Sequence, residues 1–305
     1  MLFLRDLIFP GLLFLIPAAP AAAELSCGGI AKQSGLLVCS GPAETEIDVS
    51  TAGGENVRTV KTDADGQVVI GLAQDEAPDL VLTPKSPGAA PLNMSIAPRN
   101  DDYRVIRGLD CDKVDARTEE QKQHAADSWV KKQAAFETFN RGPAASQGFV
   151  KPASGPTSSP FGPTRKYIGV GADGKECEST SVHRGYDMAI PTGTPIVAPA
   201  SGVVILGDPD LYYEGGAVFL DHGGGLVSVF MHMSKVEVKA GDFVGTGNQL
   251  GLSGNTGRTT GPHLHWAVKW RNTASDDRDG DFYIDPALLL ELQPDSAASA
   301  EEMPN

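Results

Sequence analysis

Basic residues are scarce in this chain. Its 25 Lys and Arg against 39 Asp and Glu leave a formal net charge of −14. Binding a nucleic-acid backbone requires clustered cations, so nucleic acid is excluded as a natural partner. Cysteine is limited to four residues, Cys27, Cys39, Cys111 and Cys177. None stands at Cys-x2-Cys spacing, which argues against a four-cysteine zinc site. No histidine is followed by glutamate, so the His-Glu-x-x-His helix of many metalloproteases is missing and any activated water here must use a different group. Long apolar runs are absent too. The stretch Leu7–Ile16 is short for a spanning helix and is interrupted at Pro10, with Pro17 and Pro20 following.

That stretch instead fits an export leader. Residues 1–23 join an apolar core to Ala21-Ala22-Ala23, the small-residue form of a cleavage site. Cleavage would leave no stable membrane insertion. An even cysteine count in an exported chain points to disulfides, for which three pairings are open. We expect Cys27–Cys39, a short loop contributing about 3 kcal/mol on the chain-entropy model, and Cys111–Cys177, tying the two halves of the chain together.

Residues 24–115 read as short strands separated by turn signals such as Ala52-Gly53-Gly54 and Asp63-Ala64-Asp65-Gly66, which predicts a small β-sandwich-like domain. A long helix follows over 116–141, with Thr118 and Gln121 as a capping box and Trp129, Phe136 and Phe139 as a partial apolar stripe. His124 on this helix reads as a solvated surface residue. Residues 142–157, rich in Gly, Pro, Ala and Ser, read as a linker. Over 158–290 short valine-rich strands alternate with tight glycine turns, which predicts a mainly β, glycine-rich antiparallel sheet domain. The remaining 291–305 read as a disordered tail.

Five of the six histidines fall between 183 and 265. In a strand, alternate side chains share a face, so His263 and His265 project together roughly 7 Å apart. One can bind a metal while the other addresses what the metal holds, and parity alone leaves open which does which. Upstream, His183-Arg184-Gly185-Tyr186-Asp187 offers an imidazole and a carboxylate. Two histidines and an aspartate form a normal catalytic zinc shell, with a fourth position left for water. His263 and His232 are the candidates for proton handling, since a neutral imidazole can take water's proton or donate to an oxyanion.

These motifs together resemble the lysostaphin-type (LytM-like) zinc endopeptidases of bacterial cell walls. The likeness runs through His183-x-Gly185-x-Asp187, Ala189–Ala198, Asp221-His222-Gly223, Phe230-Met231-His232-Met233 and Gly254–His265, with Ser158–Gly162 matching the domain's first strand. The resemblance implies that His183, Asp187 and His265 bind one Zn2+ per chain and that His232 and His263 are catalytic. It also implies that His222 is structural. The implied reaction is hydrolysis of peptide bonds in peptidoglycan stem peptides or cross-links, with zinc-held water as nucleophile, in a Gram-negative periplasm or outside the cell. A non-hydrolytic regulator of a cell-wall amidase is the alternative, against which stands the complete set of ligands. The resemblance does not extend to residues 24–141, for which autoinhibition, wall targeting and a regulatory partner are all open.

Overall fold

A computed structural model describes residues 24–111, 116–171, 174–276 and 280–292. The expected leader lies outside the described residues, as does the tail from residue 293. The architecture is mainly β, with one long helix.

The amino-terminal strands are β1 (Ser26–Ile30), β2 (Leu36–Ser40), β3 (Glu46–Thr51), β4 (Asn56–Lys61), β5 (Gln67–Gly71), β6 (Asp79–Pro84), β7 (Leu92–Ser95) and β8 (Tyr103–Asp110). The first seven form two sheets, β1-β2-β5 and β4-β3-β6-β7. Alternation decides the inner face: Ile47, Val49, Leu80 and Leu82 are buried, while Asp48 and Val81 between them are partly exposed. Cys27 and Cys39 are direct cross-strand partners and are joined by a disulfide. Asp63 accepts from the Asp65 and Gln67 backbone N–H groups, and Gly66 turns with φ +76°, making this acidic stretch a hairpin turn. The strands β1 and β7 escape sequence reading because glycine in one and a preceding proline in the other obscure any alternation.

Next come α1 (Glu119–Phe136), β9 (Thr157–Ser159), β10 (Thr164–Val170), β11 (Glu176–Val182), β12 (Tyr186–Met188), β13 (Pro195–Val197), β14 (Gly202–Leu211), β15 (Gly215–Gly223), β16 (Leu226–Met233), β17 (Lys235–Val236), β18 (Phe243–Val244), β19 (Gln249–Leu252), β20 (Leu264–Trp270), β21 (Phe282–Ile284) and α2 (Pro286–Leu289). An antiparallel sheet of order β18-β14-β15-β16-β20-β12-β9, with β21 on β20, is the scaffold. Its central strands are apolar without alternation because both faces are covered. Val218, Leu220, Leu226 and Phe230 enter the main core, while Ala217, Phe219, Val227 and Val229 enter a second core beneath α1.

The capping box at Thr118 and Gln121 forms as expected, but the helix closes at Phe136. Phe136 is buried against Phe219, while Trp129 remains 57% exposed, so only part of the expected apolar stripe is used. His124 docks rather than standing free in solvent: its Nε2 lies 2.9 Å from the Asp210 carbonyl and its ring meets the edge of Tyr212. Beyond the helix, the fully buried Arg271 donates to the carbonyls of Phe136 and Thr138 and to Asp221, which is itself buried. Residues 142–157 are laid along the sheet. Val150 N–H donates to Pro199, Val197 N–H donates to Pro152, and Phe149 packs on the edge of His222.

The sandwich and the large sheet share one continuous hydrophobic core. Trp270, at the end of β20, donates its indole N–H to the Val69 carbonyl and lies flush on Gly71, where an added Cβ would stand 2.5 Å from the ring. A further sheet, β11-β10-β8, is built from both regions: β8 runs parallel to β10, and the Cys111–Cys177 disulfide fastens its end.

Two outcomes test this packing. Asp221→Ala leaves a buried guanidinium without its carboxylate and should lower unfolding free energy by about 3–5 kcal/mol in urea titrations. His222 is fully enclosed between the Ser201 carbonyl and the Ser228 hydroxyl, and burial pushes it down to about 4. Protonation therefore favours the unfolded chain. The His222 contribution is complete above about pH 6.5 and is lost as pH falls towards 4, by about 3 kcal/mol. His222→Gln should flatten that segment of the stability profile.

Candidate metal centre

Strand register builds the centre. Asp187 in β12 is paired with His265 of β20 on one side and Ser159 of β9 on the other. His183 follows β11 and reaches the same point through the turn Arg184-Gly185. Its Nε2 lies 3.0 Å from Asp187 Oδ2, and His265 Nδ1 lies 2.8 Å from Asp187 Oδ1. Donor atoms of His183, Asp187 and His265 all fall within 4.8 Å of one another. The turn must be glycine: a Cβ on Gly185 would stand 2.3 Å from His265 Nε2.

Hydrogen bonds fix the donor atoms. His183 Nδ1 is 2.7 Å from the Pro160 carbonyl, which can only accept, so Nδ1 carries a proton and Nε2 is the nitrogen turned to the centre. Burial would raise the Asp187 carboxyl, but His183 and His265 outweigh it and hold the group well below the usual carboxylate range. Arg165 from β10 adds a contact 3.4 Å from Asp187 Oδ2 and donates to Ser159 Oγ at 2.5 Å.

The other two candidate histidines stand beside this cluster. The His232 and His263 rings are 4.8 Å apart, and His263 Nε2 is 3.8 Å from Asp187 Oδ1. Each has Nδ1 on a backbone carbonyl at 2.8 Å, that of Thr256 for His232 and that of Gly261 for His263. Both therefore hold a proton on Nδ1 and leave Nε2 available. Burial first, then the neighbouring His265 and His263, push His232 down to about 3, so it is neutral near pH 7. Its backbone is left-handed at φ +65°, with its N–H donating to the Glu214 carbonyl. Such a conformation costs a side chain larger than glycine on the order of 1–3 kcal/mol, and strain of this kind gathers at functional sites.

All five expected site residues thus meet at one place, lining a groove of about 550 Å³. His222 lies apart from it, inside the core. Sequence reasoning missed Arg165, Glu214, Thr256 and Thr259, which touch the five or line the groove beside them. Arg165 and Glu214 stand on separate elements and carry no spacing signal, while Thr256 and Thr259 lie within the Gly254–His265 motif without a role assigned to them.

Residues 181–277 match the profile of Peptidase family M23. The chain is 45% identical over 86 residues to the peptidoglycan DD-endopeptidase ShyA of Vibrio cholerae, an alignment covering 28% of this chain and 20% of that protein. It is 44% identical over 112 residues to an uncharacterized metalloprotease of Haemophilus influenzae, covering 36% and 22%. The chain therefore spans about a fifth of the length of these relatives. A crystal structure of an M23 peptidase from Pseudomonas aeruginosa is similar over 85% of this chain and 95% of its own, at 29% identity and a TM-score of 0.55. That likeness reaches beyond the matched profile into the amino-terminal region. The profile encloses all five histidine and aspartate positions of the centre, so residues 181–277 form a domain of the Peptidase family M23 kind.

Proposed function

We propose that this chain is an exported zinc-dependent endopeptidase that hydrolyses peptide bonds in the stem peptides or cross-links of peptidoglycan. The observation that carries the reading is the convergence of His183, Asp187 and His265 on one point beside the paired rings of His232 and His263. The donor set fits zinc: two imidazole nitrogens and one ionised carboxylate, with the Pro160 carbonyl orienting His183. When bound, zinc supplies a Lewis acid for the scissile carbonyl and makes water nucleophilic near neutral pH.

The chain's own residues supply the rest. His263 and His232 present Nε2 lone pairs, which can take the proton of the attacking water and return it to the leaving amine. Once protonated, the same nitrogens donate to the oxyanion of the tetrahedral intermediate. Asp187 is held ionised beside His183 and His265, so its charge is available to the metal. The wall-acting relatives support peptidoglycan as substrate. The apolar leader and the two disulfides support export to an oxidising compartment, here a Gram-negative periplasm.

Three outcomes check this reading. Purified chain with zinc should release new muropeptides from isolated wall, identified by mass spectrometry, and intact wall after prolonged digestion would reject the activity. Zinc retention after dialysis should be lost in His183→Ala and Asp187→Ala but kept in His263→Ala, whose turnover should fall by about 10²–10⁴-fold. Gly185→Ala should displace His265 and weaken zinc affinity by about 10–100-fold in competition titrations, while the melting temperature stays close to that of the parent chain.

A further inference from the structure

Helix α1 lies outside the matched profile at residues 181–277, and among the described residues none that lines the metal groove belongs to it. It nevertheless grips one side of the site. His124, Ser128, Lys131 and Lys132 recur at the three- and four-residue spacing that shares one helix face. All four reach the hairpin of β14 and β15. His124 Nε2 donates to the Asp210 carbonyl at 2.9 Å, and Ser128 Oγ accepts the Tyr212 N–H at 3.0 Å. Lys131 pairs with Asp208 at 2.7 Å, and Lys132 with Glu214 at 2.5 Å. The last pair is largely buried on both sides, so removing either charge strands the other.

The tip of that hairpin carries both supports of His232. The Glu214 carbonyl accepts the His232 N–H at 2.8 Å, on a backbone held at the left-handed φ of +65°. The Thr256 carbonyl accepts from His232 Nδ1, and the Thr256 segment itself rests on the hairpin. Arg258 N–H donates to the Tyr213 carbonyl, Gly216 N–H donates to Thr256 Oγ1, and a Cβ on Gly215 would stand 2.2 Å from that oxygen. A residue in a sparsely populated backbone conformation stays there only when its surroundings over-determine it. Here those surroundings run through the hairpin to α1.

We infer that α1 is an activating brace: through Ser128 and Lys132 it fixes the β14–β15 hairpin and so positions the His232 imidazole, which makes these two side chains positioning residues for the hydrolysis. The inference rests on the peptidase reading above and gives the helix a part in it. It opposes a role for α1 as an inhibitory cover, because releasing a cover raises activity whereas releasing a brace lowers it. None of the four helix contacts involves His183, Asp187 or His265, so metal retention and histidine positioning separate experimentally.

The test compares full-length Lys132→Met and Ser128→Ala with Lys132→Arg and with Val130→Ser, which alters an exposed side chain of the same helix. Amide hydrogen exchange, followed by NMR on isotope-labelled protein, reads the His232 N–H directly and needs no turnover. In Lys132→Met and Ser128→Ala that exchange should accelerate about tenfold or more, while zinc retention after dialysis matches the parent chain. On soluble cross-linked muropeptides, kcat should fall about 10–100-fold with KM within about twofold. Lys132→Arg should recover most of both losses, and Val130→Ser should behave as the parent chain does. Unchanged His232 exchange in Lys132→Met and Ser128→Ala overturns the inference, as does turnover that holds or rises in them. Acceleration spread equally over the core amides of β15 and β16 reports general loosening and overturns it too. Faster exchange confined to the His232 region, in a protein whose parent chain shows no turnover, supports the brace and counts instead against the peptidase reading.

Discussion

Everything at the centre depends on one buried carboxylate. Asp187 sits between two antiparallel neighbours, and its charge is held in place by His183 and His265 at 3.0 and 2.8 Å. A carboxylate in such a place is tolerable only when paired, and pairing here demands the register of β12 against β20. That register in turn needs β20 fixed at both ends. At one end the Gly185 turn leaves room for the His265 ring, and at the other Trp270 is driven into the sandwich against Gly71. Metal-site geometry and the docking of the amino-terminal region are therefore consequences of the same strand.

Residues 24–141 thereby become part of the structural frame of the groove. The strand β8 extends the sheet beside the metal centre, its Ile106 lines the groove, and Cys111–Cys177 fastens β8 to β11. Helix α1 contributes Lys132, which occupies Glu214 at the edge of the groove and so helps set its net field. Arg99 bridges further, binding Asp101, Asp285 and the Phe161 carbonyl from three separate regions of the chain. A groove wall assembled from distant segments and closed by a disulfide shapes the cleft without supplying a ligand to it.

The centre was legible in the sequence because its chemistry is rare. Five histidines crowded into glycine-rich strands, together with one aspartate four residues after His183, exceed what a β core needs for packing or solubility. Strand parity placed His263 and His265 together, although only Leu264–Trp270 is continuous strand and His263 joins through an isolated bridge to Gly254. The two disulfides were also foreseeable from count and compartment. What could not be read was long-range pairing. The parallel match of β8 with β10 joins strands about sixty residues apart and leaves no local pattern. Similarly, the Gly-Pro-Ala-Ser composition of 142–157 signals a linker, whereas its backbone bonds to Pro199 and Val197 hold it on the sheet. Arg165 could not be singled out, because a single cation in a polar strand has many solvated counterparts.

The place where a metal binds decides between these assignments and any other. Zinc-edge X-ray absorption on the full-length protein should show a shell of nitrogen and oxygen at about 2.0–2.1 Å with imidazole scattering and no sulfur, and Asp187→Ala should abolish it. A shell containing sulfur, or one unchanged in Asp187→Ala, would place the metal elsewhere and contradict the assignment of His183, Asp187 and His265.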